Sequence, residues 1–164
     1  MLDTNTTHIV SSPEKIESMH LQILLSKSYS IYFFAFVFAI ILDMIFNFKF
    51  GGQILQNIGL ILMVLSTFLM YWAQTVNKKP AYLPDGQRNF SLGPYKYSRN
   101  PTQFGLFVLI LSAGFIMNSY IVIIAGVIAF IFSFFVIIPK EEVRHIKKYG
   151  QVYLNYMKQT RRVL

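Results

Sequence analysis

The sequence predicts an all-α integral membrane protein: four transmembrane helices, with an interfacial helix at the C-terminal end. Three observations predict it. Apolar residues make up 54% of the 164 residues and charged residues only 13%, a balance too apolar for an ordinary soluble domain of this size. Four apolar runs are separated by polar segments, and each is about long enough, as a helix, to cross a hydrocarbon core roughly 30 Å thick. The basic residues gather on alternate connecting segments.

Residues 1–28 are polar and read as a cytoplasmic N-terminal tail. They lack an apolar core with a small-residue cleavage site, which argues against a cleaved signal peptide. His8 and His20 have no metal-ligand company there. The rest, 29–164, reads as one membrane domain. Its spans fall at about 29–46, 54–72, 101–117 and 120–138. Lipid offers no hydrogen bonds, so each run must close its own backbone bonds as a helix. None shows the polar face that a soluble bundle would need. Asp43, one turn inside the first span, reads either as a proton or cation site or as a side chain reaching back to water. The third span is short and starts at Pro101, which suits a first helical position. Only Met117–Tyr120 separates it from the fourth, which predicts a tight antiparallel hairpin.

Of the fifteen Lys and Arg, all but Lys49 lie in the two tails and the second loop. With four spans these segments share one face, and the positive-inside rule makes that face cytoplasmic, with both termini there, in a membrane expected to be a bacterial plasma membrane. The net charge of +8 is thereby explained as topology and lipid anchoring; no nucleic-acid motif accompanies it. The absence of cysteine excludes disulfides and thiol catalysis. No metal spacing, phosphate loop or Ser/His/Asp arrangement occurs, so no metal is expected.

Two polar segments on that face remain. In "GPYKYSRNP" (93–101), Pro101 starts a helix, Asn100 can cap it, and Arg99 adds charge beside the free N–H groups of the first turn. This is either a well-capped helix with an interfacial arginine or an anion site. After Pro139, Glu141 and Glu142 sit in the first turn of the next helix. The helix dipole favours acids there. Neighbouring residues also point about 100° apart, so one acid can turn inward and hold a cation. Val143, Ile146, Tyr149, Tyr153 and Tyr156 form one stripe of an amphipathic segment over 140–160, with Gly150 as a bend or break. The tyrosines read as interface anchors, and His145 as a solvated position.

Together the two segments resemble a family of integral-membrane methyltransferases that includes isoprenylcysteine carboxyl methyltransferase and the phospholipid N-methyltransferases. The residues that carry the resemblance are "GPYKYSRNP", the paired glutamates 141–142, "YG" at 149–150, Tyr153 and Tyr156. They span about 86 to 162. The resemblance implies S-adenosyl-L-methionine as cosubstrate. Gln87, Arg88, Asn89, Phe90 and Tyr95 would line the adenosyl pocket, and Asn100, Pro101, Thr102 and Gln103 would lie against the cosubstrate. One of Glu141 and Glu142 would take its α-amino group, and Arg99 with the helix start its carboxylate. The implied reaction is methyl transfer to a lipophilic acceptor, such as a lipid amine, at the cytoplasmic face. The sequence departs from the pattern twice. Asn100 stands where His is usual, as it does in phospholipid N-methyltransferases. "FFVIIP" stands where the isoprenylcysteine enzymes place an arginine. The alternatives are an NADPH-dependent membrane reductase of sterol-reductase-like architecture and a non-catalytic lipid-binding protein.

Overall fold

A computed structural model describes residues 13–78, 81–82 and 88–163, with the backbone alone at 13–28 and at Arg88. The chain is built from helices. Helix α1 covers Pro13–Phe46 and α2 covers Gln53–Lys78. A two-residue hairpin of β1 (Ala81–Tyr82) and β2 (Arg88–Asn89) follows, then a 3₁₀ turn at Gly93–Lys96. Helices α3 (Pro101–Ile116) and α4 (Tyr120–Phe132) come next. A π turn at Ser133–Ile137 leads into α5 (Ile138–Tyr149), and α6 (Gln151–Gln159) ends the helical part.

The bundle is ordered α2–α3–α4–α1, with α1 also touching α3. Its inside is small: Tyr32, Ala39, Leu106, Ile110, Val122 and Ala129 form the core. The outside is greasy, with residues such as Phe34, Met44, Val64 and Phe135 exposed. Apolar surface outside and small or polar groups between helices is the pattern of a chain solvated by lipid. Among the described residues, three stretches are long and apolar enough to cross a membrane: Tyr29–Phe46, Gln53–Lys78 and Tyr120–Tyr149. The expected third span is shorter. Helix α3 has 16 residues, about 24 Å, and lies between α2 and α4. The all-α membrane fold therefore holds, as three helices of crossing length and one shorter apolar helix.

Other boundaries also differ. Helix α1 begins at Pro13, well before Tyr29. Pro139 does not separate the fourth span from a new helix; Tyr120–Tyr149 is helical throughout. Proline lacks an N–H, and its ring crowds the preceding turn. The chain widens to a π turn just ahead of it, where the Ile138 N–H reaches the Ser133 carbonyl. That extra residue in the turn takes up the misfit. The break comes instead at Gly150, whose φ of +54° separates α5 from α6, a conformation glycine adopts without cost.

The far end of the bundle, away from the second loop, is tied together by Asp43. Its carboxylate accepts from Ser119 Oγ at 2.6 Å and pairs with Lys49. Ser119 caps α4 through Val122 N, and Phe50 N donates to Asn118 O. Asp43 is thus neither a side chain reaching to water nor a lone proton site. It is 4% exposed and joins the end of α1 to the first loop and the α3–α4 hairpin.

Candidate active site

The site is assembled by the second loop, the start of α3, the end of the long α4–α5 helix and the C-terminal segment. Gly93 begins the approach. Its φ is +53°, and a Cβ there would meet Val76 at 2.8 Å and the Trp72 indole at 3.1 Å, so the 3₁₀ turn can sit directly on α2. That turn delivers Ser98, Arg99 and Asn100 to the threshold of α3. There the chain's own end lies alongside them. Ser98 and Arg161 form a parallel bridge, Arg99 N donates to Arg161 O at 2.9 Å, and Asn100 Nδ2 donates to Arg162 O at 3.0 Å. Asn100 does occupy the N-cap position, but its side chain makes no capping bond. It is spent on holding the C-terminal strap instead.

The strap turns the Arg162 guanidinium onto Glu142, with Nη2 to Oε2 at 2.8 Å and Nε to Oε1 at 3.3 Å. From the other side Arg99 Nη1 lies 3.1 Å from Glu142 Oε1. Glu142 is 3% exposed. A carboxylate buried that deeply is tolerable only when paired, and here two guanidinium groups share it. The Arg99 contact is an ion pair by distance but lies off a hydrogen-bond line. Its Nε and Nη1 find no hydrogen-bond partner among the described residues. Nη1 is engaged with Glu142 by charge, and Nε is left as a spare donor on a nearly buried cation, a fit for an incoming carboxylate.

An aromatic wall stands beside this charge cluster. Phe90 packs on Tyr149, Tyr153 and Tyr156, with ring centroids 4.8, 5.3 and 5.5 Å away. The Tyr156 hydroxyl donates to Tyr95 O at 2.6 Å. Burial pushes the Tyr153 hydroxyl up to about 12, and the Glu142 charge adds to the rise. Tyr156 is raised as well, again chiefly by burial. Both therefore stay neutral at ordinary pH. The expected interface anchors are thus corrected for Tyr153 and Tyr156: they are buried, because the second loop folds over them. Val143, on the same predicted stripe, stays exposed. His145 is half-buried, stacked on Tyr149 and tilted against Tyr153, so it is only partly solvated.

The other candidate residues fall as follows. Gln87 lies outside the described residues, and of Arg88 only the backbone, in β2, is described. Asn89 Oδ1 accepts from Ser91 N at 2.9 Å, a local turn bond. Pro101 is buried and Thr102 half-buried. Gln103 is buried with its Oε1 unpartnered among the described residues. Glu141 is half-buried and near enough to Tyr153 to act on it electrostatically. Sequence reasoning missed Arg162, because nothing in its local sequence points to Glu142, twenty residues earlier. It also missed two buried hydroxyls, Tyr32 and Ser133, which are hidden inside apolar runs.

No curated protein matches the chain closely enough to count as a relative. A family match does exist. The profile of the family described as phospholipid methyltransferase matches residues 54–152, well over half of the chain. The match takes in α2, the second loop, α3, α4 and α5, and so both Arg99 and Glu142; the C-terminal strap lies beyond it. A buried carboxylate and an arginine brought together at the end of an apolar bundle, within a stretch matched along most of its length, lead to one conclusion: the chain belongs to the phospholipid methyltransferase family.

Proposed function

We propose that this membrane protein transfers the methyl group of S-adenosylmethionine to a lipid amine at the cytoplasmic face of the membrane. The observation that carries the proposal is the meeting of Arg99 and buried Glu142 at 3.1 Å. An amino-acid zwitterion needs one cation for its carboxylate and one anion for its ammonium. Arg99, with its spare Nε–H, suits the carboxylate; Glu142, or Glu141 beside it, suits the α-amino group. The aromatic surface of Phe90, with Tyr95 and Asn89, suits the adenosyl group. Asn100, Pro101, Thr102 and Gln103 flank it. The family match favours methyl transfer over the NADPH-dependent reductase.

Glu142 is already held by two arginines. Removing one partner of a buried pair costs about 3–5 kcal/mol, but a zwitterion brings a replacement for each charge it displaces. Arg162, partly exposed, is the partner free to swing away. When bound, S-adenosylmethionine supplies an electrophilic methyl group: the acceptor nitrogen's lone pair forms the N–C bond as the C–S pair passes to sulfur. The chain's own part is alignment and exclusion of water. Low-dielectric surroundings also disfavour the charged form of an amine, so the ammonium gives its proton to bulk water at the membrane surface before the free amine enters the dry site, without a dedicated base. Calorimetric titration of detergent-purified protein with S-adenosylmethionine tests the reading. Wild type should bind, and Glu142→Ala should weaken binding by at least tenfold. Equal affinity in a Glu141→Ala/Glu142→Ala double variant would refute the assignment.

A further inference from the structure

We propose that the basic outer surface of α5, α6 and the C-terminal strap docks on anionic lipid headgroups of its own leaflet, and that this contact draws Arg162 off Glu142 and opens the site to its cosubstrate. The proposal rests on the reading of Glu142 given above and adds a control on it.

The surface is one-sided. Lys140, Arg144, Lys147 and Lys148 recur at helical spacing along one exposed stripe of α5. Lys158 and Arg161 continue the exposed charge beyond Gly150. Among the described side chains no exposed acid stands beside them: Glu141 is half-buried, Glu142 is buried, and Asp43 lies at the far end of the bundle. Helix α5 is also the end of the Tyr120–Tyr149 stretch of membrane-crossing length. Cations gathered at that boundary fit a negatively charged leaflet.

Arg162 makes this surface more than an anchor. The stripe lies across α5 from Glu142, so headgroups on the stripe cannot touch the carboxylate itself. Of the two arginines on Glu142, the Arg99 side chain is 9% exposed and that of Arg162 38%. Headgroups can therefore reach Arg162. Its guanidinium grips both oxygens of Glu142, where the ligand's ammonium has to bind, and stands 5.6 Å over the Phe134 ring. The clasp thus stoppers the site with the chain's own end. The strap's main chain is fastened separately, through the Ser98–Arg161 bridge and the bonds from Arg99 N and Asn100 Nδ2, so only a side chain has to move. A guanidinium leaves a carboxylate readily only for another anion, and phosphate matches the same two-pronged geometry. Glu142 then exchanges Arg162 for the ligand's ammonium. Headgroup and cosubstrate each favour the binding of the other.

The test places the full chain in nanodiscs of phosphatidylcholine alone or in an equal mixture with phosphatidylglycerol. S-adenosylhomocysteine is titrated, because it carries no net charge and is not itself concentrated by an anionic surface. Wild type should bind at least fivefold tighter in the mixed discs. Arg162→Ala should bind that tightly in both, within twofold. A second readout needs no ligand and decides the matter if that variant does not fold. A single cysteine at Val163 carrying an environment-sensitive fluorophore should change its emission between the two discs, and one at Asn77, at the end of α2, should not. Equal wild-type affinity in the two discs, a lipid response that survives in Arg162→Ala, or the same gain from inorganic phosphate added to phosphatidylcholine discs would overturn the proposal. So would weaker binding by Arg162→Ala in phosphatidylcholine, which would make Arg162 part of the site and not its stopper. If wild type binds S-adenosylhomocysteine in neither disc while the Val163 label still responds, the cosubstrate reading fails and the lipid contact stands. Silence in both readouts sinks both.

Discussion

Glu141 and Glu142 are neighbours in sequence but differ in burial: Glu142 is buried and Glu141 half-buried. The helical angle between them made it legible that one would turn inward. Which one was not legible, because that depends on where Arg162 returns after the chain breaks at Gly150. The tyrosines show the same limit. Their spacing revealed a stripe, but a stripe faces whatever covers it, and Phe90 of a distant loop covers this one. Tyr153 yields a prediction at this scale. Its hydroxyl titrates near 10.0 when free and at about 12 in the fold, chiefly through burial. The native state therefore holds this proton more tightly. The stability it contributes is complete below pH 10 and is lost as pH rises toward 12. Thermal melting followed from pH 9 to 12 should show a falling midpoint, and Tyr153→Phe should flatten that fall.

At the scale of elements, the apolar runs announced the helices, whereas Pro139 misled about where one ends. Proline stops a helix only when the preceding turn cannot widen, and the π turn at Ser133–Ile137 shows that here it can. The hairpin of β1 and β2 escaped notice because two-residue strands leave no periodicity to read. Packing between elements was equally silent. Gly59 lets α2 approach α3 so closely that a Cβ would lie 2.9 Å from both the Phe115 side chain and the Ser112 carbonyl. Small residues set such separations in membrane helices. Gly59→Leu should force α2 away from α3 and lower the detergent melting temperature, at a cost of about 1–3 kcal/mol from overpacking. The strap offers a sharper contrast. Arg162→Ala removes a competitor for Glu142 but leaves Arg99 in place. It should keep or tighten S-adenosylmethionine binding in calorimetry, the opposite of Glu142→Ala.

For the whole molecule, the uneven placement of lysine and arginine set the expected orientation, and the chain's lack of cysteine makes that orientation simple to test. A single cysteine at Lys158 should react with a membrane-impermeant maleimide only in inverted vesicles. One at exposed Gly51, where nothing lies within 4 Å of an added Cβ, should react from outside intact cells. The reverse pattern would turn the proposed cytoplasmic site outward.

The two ends of the bundle differ in how they are fastened. At one, Asp43 knots α1, the first loop and the α3–α4 turn through side chains set in short, stiff segments. At the other, the strap of Arg161 and Arg162 is held to the start of α3 by backbone bonds and Asn100, and its one charged clasp is the Arg162 guanidinium on Glu142. Fastened this way, the molecule is expected to open like a pair of tongs. Whatever enters or leaves should part the tip, while the riveted base serves as the fulcrum.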